Sequence, residues 1–284
     1  MKMEKTIINA AKQYLRDPII EFRLLGGMSN LMFVVSDQGK KYTVRVVGRG
    51  AEYFVNRVEE QEHIKMFEKL NVTNKTLFFD LESGVKIAKF LPGEPLSNLV
   101  PTDHLNEVAN VLKVVHQGPL SKYNYNYFKR LEKYELINDN LPKEYYQAKE
   151  IITNYYQDIY AKIPLRFTHG DSQPSNFVIS DQVYLVDFEF SGNNDPFYDI
   201  ACFGNKSFED ALELLPVYLG KTPSSSDLHR LYYHRATQTL QWFLVALYKD
   251  KIGLSNDLKI PFDLVSQNYL KKTFKLLGEM KNFE

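Results

Sequence analysis

The sequence predicts an α+β protein with two lobes, a small N-terminal lobe built on an antiparallel sheet and a larger, mainly helical C-terminal lobe. Short runs rich in β-branched and aromatic residues recur through the first part of the chain, around one charged helical stretch. Prolines and a glycine then interrupt regular structure at residues 90–96, and helical spacing dominates beyond them. We therefore expect a first lobe over residues 1–91 and a second lobe over residues 92–284.

The first lobe is expected to contain two helices and five strands. Its first helix carries Ile7, Ala11 and Leu15 at helical spacing, and a charged helix follows at residues 56–70. The five strands are expected at residues 19–25, 31–36, 41–47, 76–80 and 85–91. The second lobe is expected to have helices at residues 102–116, 145–163, 208–218 and 227–249, and an irregular segment with a short helix at residues 119–142.

Composition limits the class of protein. The chain has 284 residues, of which 44% are hydrophobic, and its 19 Tyr and 19 Phe allow a substantial core. Lys and Arg together number 35, as do Asp and Glu, so the formal net charge is zero. Without a basic field, neither nucleic acid nor an anionic membrane is an expected partner.

Targeting and redox signals are sparse. Cys202 is the single cysteine, which excludes an internal disulfide, and its apolar neighbours favour a buried, inert thiol. No Cys/His cluster has the spacing of a zinc site. The N-terminal residues lack the apolar stretch of a signal peptide, and no run reaches the roughly 18 apolar residues that a membrane helix needs. We expect a cytoplasmic protein.

The strongest functional signal is a loop framed by apolar, β-forming residues. It reads H-G-D-x-x-x-x-N, from His169 through Asp171 to Asn176, and a short strand then ends at Asp187 in the triplet D-F-E. This order suits ATP-dependent phosphoryl transfer, in which one carboxylate takes the proton of an attacking hydroxyl while an amide and a second carboxylate hold Mg²⁺. A single Asp or Asn in a loop is usually a turn former, so the prediction depends on the whole set.

These residues resemble a known family. Protein kinases have H-R-D-x-x-x-x-N and D-F-G at the corresponding places, whereas the motifs of this chain are typical of the aminoglycoside phosphotransferase and choline kinase superfamily. Residues 187–201 are similar to the D-[FW]-E-Y-S-x-x-N-D-P-x-x-D-[IL]-A run of bacterial choline kinases, with Phe190 replacing the Tyr. The resemblance implies a two-lobed protein-kinase-like fold, ATP and Mg²⁺ as cofactors, and transfer of the γ-phosphate to the hydroxyl of an amino alcohol.

The resemblance implies roles for the three motif residues and for a charged pair. Asp171, Asn176 and Asp187 are the expected catalytic residues, Asp171 as the base and the other two as magnesium ligands. Arg45, on the third strand, takes the place of the Lys that protein kinases direct at the α- and β-phosphates, and Glu60 is the acid expected to pair with it. The competing acids for that pair are Glu59 and Glu62. A solvated surface is the alternative interpretation of Arg45 and of all three acids.

Other nucleotide contacts are expected at two places in the first lobe. The hairpin loop that contains Gly27, Ser29 and Asn30 is expected to cover the ATP phosphates, although a plain hairpin turn is equally consistent with its paired glycines. The strand that leads into the interruption at residues 90–96 is expected to line the adenine site, from Ile87 to Phe90. Hydrogen bonds to adenine are expected to come from backbone groups there, so the identity of the side chains says little about this site.

Two residues of the second lobe are interpreted as structural. His116 ends a predicted helix at a position where the superfamily often has a His. Asp199 opens another predicted helix, where it could be the N-cap, and the resemblance implies that it also braces the catalytic loop.

The acceptor is predicted from fewer observations. Glu189, Trp242 and Tyr248 join Asp171 as candidate acceptor contacts, because a quaternary ammonium binds to aromatic faces. Trp242 lies where bacterial choline kinases have a Trp of their choline site. Two departures weaken the match, since Val245 stands where a second Trp is expected and residues 202–206 lack the expected acid. The neighbouring aromatics are Tyr232, Tyr233 and Phe243, and core packing is the alternative for all of them.

Alternatives to a choline kinase stay open at this point. Ethanolamine, thiamine and an aminoglycoside are the other acceptors considered, and an aminoglycoside calls for a dense acidic cleft that the sequence does not display. A catalytically inactive kinase that acts as a binding module is disfavoured because no motif residue is missing. A small-molecule partner is expected, and both a monomer and a homodimer are consistent with the sequence.

Overall fold

The structure is a computed structural model that describes residues 2–24 and 30–284, and the chain forms two units. The first unit comprises Met1–Val115 and Pro174–Ser191, and the second comprises His116–Gln173 and Gly192–Glu284. The chain passes from one unit to the other within the H-G-D-x-x-x-x-N loop. The lobe boundary after residue 91 stays a prediction.

An antiparallel sheet is the framework of the first unit. Its elements are α1 (Lys2–Ala11), β1 (Ile19–Leu24), β2 (Asn30–Asp37), β3 (Lys40–Val47), α2 (Arg57–Lys69), β4 (Thr76–Phe79) and β5 (Lys86–Lys89). The five strands lie in the order β1-β2-β3-β5-β4, and every neighbouring pair is antiparallel. The predicted antiparallel sheet, followed by mainly helical structure, is therefore confirmed.

The two faces of this sheet differ in chemistry, because cross-strand partners point to the same side and successive residues alternate. One row of partners consists of Phe33, Val44 and Ile87, which belong to the apolar core that α1 covers. The next row faces the opposite side and carries Arg45 and Lys86. The face away from α1 is therefore the charged one.

Shorter elements complete the first unit. They are β6 (Glu94–Pro95), most of α3 (Leu105–His116), β8 (Phe177–Ile179) and β9 (Val183–Leu185), and the strands form a small sheet in the order β6-β8-β9. The Leu185 N–H donates to the Val72 carbonyl at 2.8 Å, which ties β9 to the segment after α2.

The second unit is mainly helical. It contains α4 (Tyr127–Leu136), α5 (Lys143–Asp158), α6 (Phe197–Phe203), α7 (Phe208–Leu219), α8 (Ser225–Lys251), α9 (Leu254–Leu258) and α10 (Phe262–Met280). Helix α8 is central and packs against α4, α5, α6, α9 and α10. A capping box between Ser224 and Asp227 starts α8. Helix α10, to which the sequence analysis assigned no element, pairs with α8 along its length.

A two-stranded ribbon sets the start of the H-G-D-x-x-x-x-N loop. Strand β7 (Arg166–Thr168) pairs with β10 (Gly192–Asn194), and the Thr168 hydroxyl donates to the Gly192 carbonyl at 2.7 Å. Among the described residues, no helix combines the length and apolarity that a membrane crossing requires.

Candidate active site

Arg45 and Glu60 form a buried pair in the first unit. They are 2% and 1% exposed. The Arg45 Nη atoms donate one hydrogen bond to each Glu60 carboxylate oxygen, with 3.0 Å between Nη2 and Oε2, and Nη2 also donates to the Gly84 carbonyl at 3.2 Å. This two-pronged geometry is the strong form of an Arg–carboxylate contact. Glu59 instead accepts a hydrogen bond from Asn56 at the start of α2.

Each member of this pair stabilises the charged form of the other. Burial opposes the charged form of Arg45, yet the attraction and hydrogen bonds of Glu60 outweigh burial, so the pKa of Arg45 lies above its ordinary value. Burial likewise works against ionised Glu60, and Arg45 outweighs it, which keeps the pKa of Glu60 below its ordinary value. Both groups are ionised at neutral pH, and losing either one would leave an uncompensated buried charge.

Lys86 is a second buried cation on the same face, and the sequence analysis did not single it out. It is the cross-strand partner of Arg45 and is 9% exposed. Its Nζ lies 5.8 Å from the centre of the Phe188 ring. Burial and then the charge of Arg45 lower the pKa of Lys86, while Glu60, Asp187 and Glu189 oppose that effect. Among the described residues, the Lys86 ammonium has no hydrogen-bond partner.

The D-F-E triplet lies beside these cations. Phe188 stacks on Phe67 of α2 with ring centres 4.2 Å apart, which anchors the triplet beneath the helix that carries Glu60. The Asn30 amide donates to Glu189 Oε2 at 2.8 Å. Burial, followed by the charge of Asp187, raises the pKa of Glu189 to about 8. Glu189 and Asn30 were predicted to contact the acceptor and the nucleotide respectively, and the structure brings them into contact with each other.

Asp187 and Asn176 are the candidate magnesium ligands, and both lie in the first unit. The Val186 N–H donates to the Asn176 carbonyl at 3.0 Å, so the backbones leading to the two side chains are adjacent. Asp187 adopts φ of 69°, an unusual conformation for a residue other than glycine. Its Oδ1 is buried and has no hydrogen-bond partner among the described residues.

This arrangement fits a magnesium ion. A buried carboxylate oxygen without a donor is costly unless a cation or water binds to it. Among the described residues, no group of three His, Cys, Asp or Glu side chains could hold a metal. Magnesium is usually bound by one or two carboxylates together with substrate phosphates, and the Asp187 carboxylate suits that role.

The predicted adenine contacts stay a prediction, and the structure shows which way the Ile87 side chain points. Ile87 is fully buried in the core beneath α1, on the face opposite Arg45 and Lys86, so its side chain cannot line a site on the charged face. The sequence pattern identified the strand but did not reveal which of its faces α1 covers. Phe90 is half-buried, and its N–H donates to the Lys41 carbonyl at 3.1 Å. Gly27 and Ser29 lie outside the described residues.

In the second unit, Asp199 holds the backbone of the catalytic loop. Its two carboxylate oxygens accept hydrogen bonds from the N–H groups of His169 and Gly170, each at 2.8 Å, and His116 Nε2 lies 3.0 Å from Oδ2. Gly170 adopts φ of 78°, which explains a glycine between His169 and the aspartate. Burial opposes the charge of Asp199, but the hydrogen bond from His116 and the other donors lower its pKa.

Asp199 is not a helix cap, contrary to one of the two expectations. Helix α6 begins two residues earlier, at Phe197, whose N–H donates to the Asp195 side chain at 2.9 Å. Pro196 precedes Phe197 and suits a helix start, because proline needs no hydrogen-bond donor there. Asp195 also binds the Arg230 guanidinium through both oxygens, at 2.7 and 2.6 Å, which ties α6 to α8.

Asp171, the candidate base, is 8% exposed. Cys202 Sγ lies 3.7 Å from its Oδ1, and Gln173 Nε2 donates to its Oδ2 at 3.1 Å. Burial raises the pKa of the Cys202 thiol well above its ordinary value, so the thiol stays protonated and can donate. The cysteine is therefore buried, as predicted, and it also touches the candidate base. Asp171 also contributes to the electrostatic surroundings of Arg235 and Tyr269.

Most of the candidate acceptor aromatics are core residues. Tyr233 stacks on Tyr160 with ring centres 4.1 Å apart, and Phe243 stacks on Tyr145 at 5.7 Å. Tyr232 is half-buried and packs edge-on against Phe208, with ring centres 4.8 Å apart.

The two aromatics predicted to contact the acceptor do not share a face of α8. Trp242 is half-buried, whereas Tyr248 is 7% exposed. Six residues separate them, which is a rotation of about 240° around a helix. Tyr269 of α10 is half-buried and lies near Asp171 electrostatically, and the sequence analysis did not name it.

A family model and a curated relative each match most of this chain. The family model described as choline/ethanolamine kinase matches residues 22–218, which is more than half of the chain. Protein LicA of Haemophilus influenzae is 27% identical over 290 residues, covering 94% of this chain and 83% of that protein.

Two solved structures share the fold. The choline kinase LicA from Streptococcus pneumoniae aligns with a TM-score of 0.81 at 22% identity, covering 98% of this chain and 100% of that one. A structure of LicA in complex with AMP aligns with a TM-score of 0.79 at 20% identity, covering 98% of each chain. At these identities the structures establish the shared fold.

Proposed function

The chain belongs to the choline/ethanolamine kinase family, and from this premise we propose that it transfers the γ-phosphate of ATP to the hydroxyl of choline. The observation that carries the proposal is the buried set of Arg45, Glu60 and Lys86 together with half-buried Asp187 in the first unit, which combines two cations with a buried carboxylate oxygen that lacks a donor among the described residues. Such a set suits a magnesium-bound polyphosphate. We place the reaction in the cytoplasm, where ATP is available.

The proposed roles follow from the chemistry of each group. Asp171 orients the acceptor hydroxyl and takes its proton as the bond to phosphorus forms. Asn176 and Asp187 hold magnesium, which when bound neutralises charge on the phosphate oxygens. Positioning and electrostatics of this kind supply most of the rate in phosphoryl transfer.

We assign the phosphate contact to Lys86 as well as to Arg45. Both Nη atoms of Arg45 already bind Glu60 or Gly84, so its main task is to hold α2 against the sheet. The Lys86 ammonium, in contrast, has no hydrogen-bond partner among the described residues and is buried beside Asp187. A compact ammonium is a common phosphate ligand in proteins.

Replacing Lys86 with Met should therefore weaken nucleotide binding while preserving the fold. We expect the Kd for Mg·ADP to rise roughly ten- to hundredfold, the effect of losing one hydrogen bond to a charged group. Titration calorimetry measures this without turnover. Lys40→Met is the matched control, because Lys40 lies on the neighbouring strand β3 and is exposed. Equal affinities of Lys86→Met, Lys40→Met and the unmodified enzyme would exclude Lys86 as a phosphate ligand.

A coupled ADP-release assay tests the acceptor. We expect choline to give the highest kcat/KM in a panel that also contains ethanolamine, thiamine and an aminoglycoside. The panel should be run with and without magnesium, and without any acceptor, to subtract ATP hydrolysis. A higher kcat/KM for another member would replace choline as the acceptor, and the absence of acceptor-dependent ADP release would contradict the kinase proposal.

Trp242→Leu refines this assay. If the half-buried indole binds the trimethylammonium group, the KM for choline should rise roughly three- to thirtyfold, because a cation–π contact contributes about 0.5–2 kcal/mol. The KM for ATP should change little. Phe243→Leu is the matched control, since Phe243 is 3% exposed and stacks in the core. A lower melting temperature with an unchanged choline KM would assign Trp242 to the core as well.

A further inference from the structure

We infer that Gln173, Asn205 and Arg235 are positioning residues that hold the Asp171 carboxylate for proton transfer, through a continuous line of side-chain hydrogen bonds. The inference rests on the proposed function, because it takes Asp171 as the base. All four residues lie in the second unit. They come from the catalytic loop, the turn after α6, and α8.

The line is built from close contacts. Gln173 Nε2 donates to Asp171 Oδ2 at 3.1 Å, and Asn205 Nδ2 donates to Gln173 Oε1 at 2.8 Å. Arg235 Nη2 donates to Asn205 Oδ1 at 2.9 Å and to the Asn205 backbone carbonyl at 3.2 Å. Two primary amides therefore connect a guanidinium to the candidate base.

The two residues at the ends of the line, Arg235 and Asp171, fix the direction of every hydrogen bond between them. Arg235 can only donate, so Asn205 must present its amide oxygen to the guanidinium and its NH₂ group to Gln173. Gln173 then presents its oxygen to Asn205 and its NH₂ group to the carboxylate. The amide dipoles align head to tail between a cation and an anion, and aligned hydrogen bonds strengthen one another in a low-dielectric interior.

Arg235 carries a buried positive charge, and the line of hydrogen bonds connects this charge to the negative charge of Asp171. It is 1% exposed, and among the described residues it makes no hydrogen bond to a carboxylate. Its Nη1 donates to Gln238 Oε1 at 2.9 Å, and Gln238 in turn donates to the Tyr198 carbonyl at 2.6 Å. Burial lowers the pKa of Arg235, and nearby groups that include Asp171 oppose that effect.

Other titratable groups also lie near Asp171 and Arg235. The Cys202 thiol of α6 faces Oδ1, and Tyr269 of α10 lies near both Asp171 and Arg235. Tyr198 of α6 and Lys272 of α10 interact electrostatically with Arg235. Burial raises the pKa of Tyr269, so its phenol is neutral at physiological pH. Arg235 is the nearly fully buried cation whose charge acts on Asp171, and the line from Arg235 reaches the oxygen that the thiol does not face.

Asn205→Asp tests the line because it should impair catalysis without destabilising the fold. An Asp at this position accepts from Arg235 as a direct ion pair, but it has no NH₂ group to donate to Gln173. We expect an unchanged or higher melting temperature, a single-turnover rate roughly tenfold lower at neutral pH, and an acidic limb of the pH–rate profile that moves to higher pH. The Kd for Mg·ADP should not change.

Matched variants separate the possible explanations. Asn256→Asp adds the same charge at an exposed position of α9 and should leave rate and pH profile unchanged. Gln173→Met removes the amide at a half-buried loop position, so it should reproduce the loss of rate even if Asn205→Asp folds poorly. Choline, or the best acceptor of the panel, serves as substrate.

Each outcome decides a separate point. If Asn205→Asp and Gln173→Met both keep the rate and pH profile of the unmodified enzyme, the line does not position the base and the inference is wrong. If they lose rate only in proportion to a loss of folded protein, their role is structural and the inference is also wrong. Asp171→Asn, measured in parallel, tests the base itself, so an active Asp171→Asn would contradict the proposed function rather than the line.

Discussion

Asp171→Asn is expected to lower kcat by roughly 10²- to 10⁴-fold, the usual contribution of a general base. Asparagine keeps the shape of the side chain and can still accept from the Cys202 thiol or the Gln173 amide, so melting temperature should change little. Binding of Mg·ADP should persist, because the substitution removes only the group that takes the hydroxyl proton. Single-turnover kinetics at saturating ATP and choline measure the chemical step directly.

A second aspartate provides the control for this substitution. Asp181 lies exposed in the turn between β8 and β9, and Asp181→Asn should retain full activity. Wild-type single-turnover rates in Asp171→Asn would mean that another group takes the proton or that no base is needed. A loose, metaphosphate-like transition state forms little bond to the hydroxyl oxygen, which reduces the need for a base.

The arrangement of the first unit could be predicted largely from the sequence, because its patterns are local. Alternation along residues 41–47 placed Arg45 opposite the apolar side of its strand, and the resemblance favoured Glu60 over Glu59 and Glu62 among the four acids of the adjacent helix. Glu60 is the one that its helix turns inward. Asp187 could be located because a short strand with an acid at its end is recognisable without knowing what packs around it.

Other features could not be predicted because they depend on long-range packing. Lys86 reads as a solvated lysine in an alternating strand, and its burial follows from the Phe188–Phe67 stack and the fold of α2 over the sheet. The contacts of Asn205 join residues about 30 positions apart, and periodicity tells which face a residue lies on but not which partner it meets. The start of α6 at Phe197 is different, because Pro196 is a local signal for a helix start before Asp199 and the sequence alone could have revealed it.

Asp187 should be the second residue whose loss nearly abolishes activity. Its buried Oδ1 has no donor among the described residues, which is the environment expected of a metal ligand. Replacing a ligand should cost at least as much as replacing its supporting residues, for which losses of about 10- to 100-fold are typical. We therefore expect Asp187→Ala to retain less than about a hundredth of the activity at millimolar magnesium.

Asp187→Asn isolates the metal effect from a backbone effect. Alanine is strained at φ of 69°, whereas asparagine tolerates this region, so the Asn variant should keep its melting temperature. Calorimetry should then show weaker binding of Mg·ADP, while ADP in the presence of EDTA binds as well as before or more tightly, since a negative charge near the phosphates has been removed. A magnesium titration of activity should shift to higher concentrations in parallel. Glu189→Gln is the comparison: if it changes the magnesium dependence and Asp187→Asn does not, the ion is held by Glu189.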